Sequence, residues 1–186
     1  VVYALTPRMV ADPLHLLYSS TVTDGAGAVV ISSMDTAKEF TDQPIRIVAS
    51  ETAADSISLS ERSRFDGVPA AMTASRRAYN RAGVSAVDID VVEVHDCFTI
   101  AEIMAIEDLG FIEKGEGGRA VEDGLTTLDG ELPVNTSGGL KSKGHPVGAT
   151  GIAQIHELML QLRGQADKRQ VADASVGLTH NVGGSG

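Results

Sequence analysis

Residues 88–98 read Asp88-Ile89-Asp90-Val91-Val92-Glu93-Val94-His95-Asp96-Cys97-Phe98. Over 88–95, Ile89, Val91 and Glu93 alternate with Asp90, Val92 and Val94, so both faces carry apolar groups. That pattern suits a central strand covered on both sides. A helix is predicted from about Ile100. Thr99 and Glu102 stand at capping-box spacing, and Ile100, Ile103, Met104 and Ile106 supply its apolar positions. His95, Asp96 and Cys97 therefore join a buried strand to a helix start, a place where α/β folds put ligands.

Moving outward, Pro69 and Gly83 bracket a helix, with proline in the first turn and glycine just past the end. Residues 113–131 are polar and glycine-bearing and predict a surface loop. The clearest helix spans 146–163: Ile152, Ile155, Leu158, Met159 and Leu162 fall at helical spacing and Gly164 follows. Residues 28–32, after the Asp24-Gly25 turn signal, predict a buried strand, and 45–49 begin a second apolar run. Between them, 34–44 is polar, ends in Gln43-Pro44 and predicts a linker. Strands alternating with helices indicate an α/β layered fold.

The 186 residues carry 15 Lys+Arg against 25 Asp+Glu, a net charge of −10. That balance opposes nucleic-acid binding and polybasic attachment to anionic lipid. With 42% apolar and 22% charged residues the chain has the composition of a globular domain, not of a disordered one. No apolar run approaches the roughly 20 residues of a membrane helix, so no membrane role is expected. Cys97 is the single cysteine, which excludes an intrachain disulfide and a cysteine-rich metal site. The chain opens on Val1 without a signal-peptide pattern and stops at Gly186 inside a glycine turn. It reads as a piece of a longer protein, expected in the cytoplasm.

Three segments can carry chemistry. Cys97, just before a helix N-terminus, is expected to have a depressed pKa, and His95 two residues away could orient a substrate or a water. The alternative is that Cys97 is a small buried hydrophobe. The second segment runs from Asn135 to Gly151 and holds five glycines between 138 and 151. Pro146 in the first helical turn would place His145 at the N-cap, where the helix dipole keeps its imidazole neutral near pH 7. A phosphate-cradling loop is the weaker reading, because Gly-Gly-Leu-Lys-Ser-Lys-Gly matches neither the P-loop nor the dinucleotide spacing. Lys141 and Lys143 read as solvated surface charges. The third segment, His180 to Gly186, is either an anion-binding nest or a plain turn. His15 and His156 read as packing or surface histidines. Together these groups suit acyl or carbon–carbon chemistry through an enolate or oxyanion.

At these residues the sequence resembles the thiolase superfamily, and most of all its sterol-carrier-protein-type and archaeal-type acetyl-CoA acetyltransferases. Val91 to Phe98 resembles their HDCF segment, Asn135 to Gly151 their NxSGGxxxxGHPxGATG segment, and His180 to Gly184 their terminal glycine turn. The resemblance implies a thiolase-like α/β fold: two βαβαβαββ halves in five layers, α-β-α-β-α, each with a mixed five-stranded sheet. Residues 1–33 would be the tail of the N-terminal half (helix and strand), 34–44 a linker, and 45–186 the C-terminal half lacking its last strand. The implied chemistry is acyl transfer in lipid metabolism, by condensation of acetyl-CoA or thiolysis of 3-ketoacyl-CoA. No cofactor is implied beyond the coenzyme A of the substrate, and no metal. Cys97 is similar to the acid/base cysteine, and Asn181 stands where many thiolases carry that cysteine. His145 is similar to the histidine that polarises the thioester oxygen and aids the nucleophile. His95 is similar to the residue holding an oxyanion-hole water, and Gly183 to the glycine whose N–H completes the second oxyanion hole. Asn135 would brace its loop. The nucleophilic cysteine would lie upstream, and a homodimer or homotetramer is expected. Two alternatives remain: a thiolase-like lyase cleaving a carbon–carbon bond in a CoA ester, and a non-catalytic assembly subunit.

Overall fold

The computed structural model describes residues 8–184. The glycine turn expected at 183–186 therefore lies partly outside the described residues, as does the start of the 1–33 segment. Strands are β1 (Met9–Ala11), β2 (Leu14–His15), β3 (Val91–Glu93) and β4 (Gly177–Thr179). Helices are α1 (Met34–Phe40), α2 (Pro69–Ala82), α3 (Thr99–Asp108), α4 (Gly117–Glu122), α5 (Gly139–Lys143) and α6 (Thr150–Leu162).

The decisive stretch behaves as its alternation demands. β3 is fully buried, pairs in parallel with β4, and bridges Val134 in parallel through Val92. Val92 and Val94 pack with Ala105, Ile106 and Leu109 of the α3 layer, while Val91 packs with Leu158 of α6 and Val171. Each face of the strand thus has its own covering helix. α2 runs from Pro69 to Ala82 and is closed by Gly83 at φ 71°, the left-handed stop that a glycine permits.

Elsewhere the local signals are overridden. Residues 28–32 and 45–49 form no ladder among the described residues: Val30 is 96% exposed and Ile47 61%. An extended segment without a neighbour has no partner for its N–H and C=O groups, so among the described residues the expected five-stranded sheet is not seen and the sheets have two strands each. The described part of 1–33 holds a β1–β2 hairpin and a 3-10 turn at Leu16–Tyr18 instead of an α-helix. The 34–44 segment contains α1, with Ser33 accepting from the Thr36 N–H and no buried residue. The 113–131 loop likewise contains α4.

α6 is the largest surprise. It starts at Thr150 rather than Pro146, and its buried residues are Thr150, Gln154, Glu157, Leu158 and Gln161. The apolar Ile152, Ile155, Met159 and Leu162 are only half-buried. The polar face goes inward because β3 and the next loop offer polar partners. Arg169 grips Glu157 through Nη2–Oε2 at 2.9 Å and Nε–Oε1 at 3.2 Å, and Gln161 donates to Thr136 Oγ1 at 3.1 Å. Gln154 Nε2 likewise donates to the His180 carbonyl at 3.2 Å, the kind of partner that lets a polar group be buried.

Candidate active site

β3 delivers His95, Asp96 and Cys97 beyond its C-terminal end, and the loop from Asn135 to His145 lies across them. Asn135 sits at φ 53°. Its side-chain oxygen accepts from the Val94 N–H at 2.9 Å and its amide donates to Glu102 Oε2 at 2.7 Å. Glu102 is therefore not the partner of a capping box; Phe98 is the N-cap of α3 and no side chain caps it. Burial pushes the Glu102 carboxyl up, with the Asn135 amide partly offsetting it.

Two further carboxylates hold the glycine loop. Asp96, 3% exposed, accepts from the backbone N–H of Leu140 at 2.7 Å and of Lys141 at 3.3 Å. Gly139 has φ 61°, and a Cβ there would lie 2.8 Å from Asp96 Cγ. The glycines thus let the loop close on a carboxylate of the protein itself, leaving those N–H groups no free direction for a phosphate. Glu93 accepts from the Ser137 hydroxyl at 2.6 Å and the Ser137 N–H at 3.0 Å. Lys143 Nζ meets Ser137 Oγ at 2.5 Å and Lys141 Nζ donates to the Ser19 carbonyl at 2.5 Å. Neither lysine is simply a solvated charge.

His145 is not at an N-cap, since α6 begins five residues later. The Thr150 hydroxyl donates to the Pro146 carbonyl at 3.2 Å, so its oxygen is left to accept from His145 Nδ1–H at 2.7 Å. This network assigns the Nδ1–H tautomer and leaves Nε2 with a lone pair. Burial, then His95, lowers the His145 pKa; the imidazole is neutral as expected, but not through a helix dipole. His95 Nδ1 lies 2.5 Å from the Asn181 side-chain oxygen, which assigns its proton to Nδ1 and likewise frees Nε2. The two rings meet edge to face with centroids 4.9 Å apart.

Cys97 and His95 line a cavity of about 150 Å³ with Val68, Ala101, Met104 and His180. Burial, aided by Asp96, raises the Cys97 pKa, while the Phe98 N–H opposes the rise. The expected depression is thus reversed: desolvation outweighs the helix start. Of the expected site residues, Cys97 and His95 line one cavity, His95 packs on His145, and Asn135 is a buried brace. Gly183 is exposed, with open space where a Cβ would point, and its neighbour Gly184 lines the cavity. His156 is exposed on α6.

Sequence reasoning gave Asn181, Thr150 and His180 no part in orienting the site. All three lie inside quoted motifs, yet no spacing rule says which of them face a histidine. His180 is driven to a pKa of about 4 by burial and then by His95. The folded state keeps this imidazole neutral, whereas the unfolded chain protonates it near 6.5. Its stabilising contribution is therefore complete above 6.5 and declines as pH falls towards 4, by about 3 kcal/mol in all. Urea unfolding should show a midpoint that drops between pH 7 and pH 5, and His180→Gln should flatten that dependence.

Residues 51–186 match the family described as thiolase C-terminal domain-like. The acetyl-CoA acetyltransferase of Methanothermobacter thermautotrophicus is 54% identical over 182 residues, covering 98% of this chain and 48% of that protein. Sterol carrier protein 2 of Homo sapiens is 40% identical over 184 residues, covering 96% of this chain and 34% of the relative. Among solved structures, the Ltp2-ChsH2(DUF35) aldolase superposes with a TM-score of 0.82 at 25% identity, covering 94% of this chain and 46% of that one. The chain thus spans half or less of the length of these relatives. With residues 51–186 matched by that family, and a buried parallel strand leading into His-Asp-Cys-Phe beneath a glycine loop, the chain belongs to the thiolase family.

Proposed function

We propose that this chain forms the C-terminal part of a thiolase-type acyltransferase that condenses acetyl-CoA or thiolyses 3-ketoacyl-CoA. The observation that carries the reading is the juxtaposition of Cys97 with His95 and of His95 with His145. Cys97 and His95 share one cavity, and the His95 ring packs on His145. In this reading the acyl-accepting cysteine belongs to the portion of the relatives that the chain does not span. Its thiol gives a proton to His145 Nε2 and its sulfur attacks the thioester carbon. The departing CoA thiolate takes the proton of Cys97, a thiol that burial keeps protonated. The resulting Cys97 thiolate, a stronger base for that burial, removes the α-proton of a second acetyl-CoA. Protonated His145 and a water held by His95 Nε2 then donate to the enolate oxygen. The enolate carbon attacks the acyl-enzyme, with the Gly183 N–H assisting the second oxyanion. The new carbon–carbon bond forms, the bond to the nucleophilic sulfur breaks, and that sulfur takes its proton back from His145. Asn181 and Thr150 fix the tautomers that make this sequence workable.

A homodimer or homotetramer, a complete mixed five-stranded sheet and a cytoplasmic location belong to the same reading. Among the described residues no helix is long and apolar enough to cross a membrane. The test is to supply the intact protein with labelled acetyl-CoA. Acetoacetyl-CoA and a labelled protein thioester are expected. The likeness to an aldolase favours a second reading, carbon–carbon cleavage of a CoA ester with no covalent intermediate. Cleavage without any labelled thioester would establish that reading and remove the first.

A further inference from the structure

Residues 19–25 lie outside the matched family domain, yet they run between the two loops of the site. Ser19 bridges Phe98 antiparallel, and the Ser20 N–H donates to the Cys97 carbonyl at 2.8 Å. Val22 bridges His145 in parallel, and the His145 N–H donates to the Thr21 carbonyl at 2.9 Å. Gly144 and Gly25 make the fit possible. A Cβ at Gly144 would lie 2.6 Å from Thr23 Oγ1, and one at Gly25 would lie 2.8 Å from Pro146 Cβ. One extended strap is therefore bonded to the main chain of both the cysteine and the histidine. A side chain also ties the strap to the rest. Lys141 Nζ donates to the Ser19 carbonyl at 2.5 Å, and the Lys141 N–H donates to Asp96, the residue before Cys97.

We propose that Lys141 is a positioning residue, the clasp through which the strap at residues 19–23 sets the placement of Cys97 relative to His145. The proposal rests on the acyltransferase reading for its kinetic consequence but not for its geometry. Lys141 carries no role in proton transfer. Its ammonium satisfies the Ser19 carbonyl, which the Ser20–Cys97 bond of the bridge does not engage, and its backbone joins the strap to Asp96. Displacing a reacting group by about 1 Å can cost on the order of 10² in rate without altering substrate affinity.

The experiment compares Lys141→Met, Lys141→Gln and Lys141→Arg in the intact protein, with the exposed Lys168→Met as a charge control. Two quantities are measured: steady-state kinetics with acetyl-CoA, and the pH profile of iodoacetamide alkylation mapped to the Cys97 peptide. Lys141→Met and Lys141→Gln are expected to lose about 10–100-fold in kcat with KM within about twofold. Their Cys97 alkylation midpoint should move to lower pH as the thiol becomes better hydrated. Lys141→Arg, which keeps a donor for Ser19, should restore most of the rate and the original midpoint. Lys168→Met should match the parent in both. A merely structural role would reduce the folded fraction and leave the midpoint of that fraction in place. The proposal is overturned if Lys141→Met keeps the parental kcat and midpoint, or if arginine rescues neither. Should the parent protein neither condense nor thiolyse, the acyltransferase reading fails, and the alkylation midpoints still decide the clasp.

Discussion

Cys97→Ala in the intact protein is expected to lower acetyl-CoA condensation by about 10²–10⁴, the usual range for removing a positioned acid–base group. Formation of the acyl-enzyme should remain detectable, because that step needs His145 more than Cys97. The reasoning runs through the thiol's environment. Burial raises its proton affinity, so at neutral pH the resting form is SH, the form able to protonate a leaving CoA thiolate. The thiolate then formed is the base for the α-carbon. Alanine removes both halves of that cycle and leaves Asn135, Asp96 and the loop contacts untouched. Thiolysis should fall in parallel, since the same thiol returns the proton. Quench-flow with labelled acetyl-CoA separates the two steps. A variant that condenses acetyl-CoA at the parental rate would strip Cys97 of its role.

The second large effect is expected at Gly139, far from any bond that is made or broken. Its φ of 61° costs an L-residue about 1–2 kcal/mol. An added Cβ would also press on Asp96 Cγ at 2.8 Å and Oδ1 at 2.9 Å. The carboxylate must then swing off the Leu140 N–H, giving up a charge-assisted hydrogen bond of about 1.5–3 kcal/mol. Gly139→Ala should therefore lose about 3–5 kcal/mol of stability, a fall in Tm of about 10 °C. Activity should drop further than stability, because the same loop carries His145. Gly118→Ala is the control: it sits in α4 with nothing within 4 Å of a Cβ and no positive φ. Calorimetry on the two variants checks the contrast. Equal stability of the two would mean that Asp96 does not hold the loop as described.

These expectations depend on features read at two different levels. Local chemistry was legible in the order of residues. The double alternation around Val92 announces a strand buried on both sides, since side chains repeat every second residue. Pro69 and Gly83 announce the ends of α2 through the dihedral angles they favour. The glycines at 138, 139 and 144, all at positive φ, mark a backbone that only glycine enters readily. Cys97, His95 and His145 were recognisable as chemical groups at turns.

What tertiary structure alone decided is which partner each polar group takes. Periodicity assigns the apolar stripe of α6 to the core, yet Gln154, Glu157 and Gln161 go inward because Thr136, Arg169 and the strand end supply their hydrogen bonds. Glu102 has capping-box spacing, yet Asn135, 33 positions away, claims it. The thiol of Cys97 stands before a helix start, yet burial raises its pKa. The tautomers of His95 and His145 follow from Asn181 and Thr150, and the strap from Ser19 to Thr23 bonds to loops more than 70 positions further along the chain. Dihedral preferences and side-chain periodicity act within a few residues and are written locally. Desolvation and hydrogen bonding depend on what the completed fold brings within about 3 Å, and no spacing along the chain encodes that.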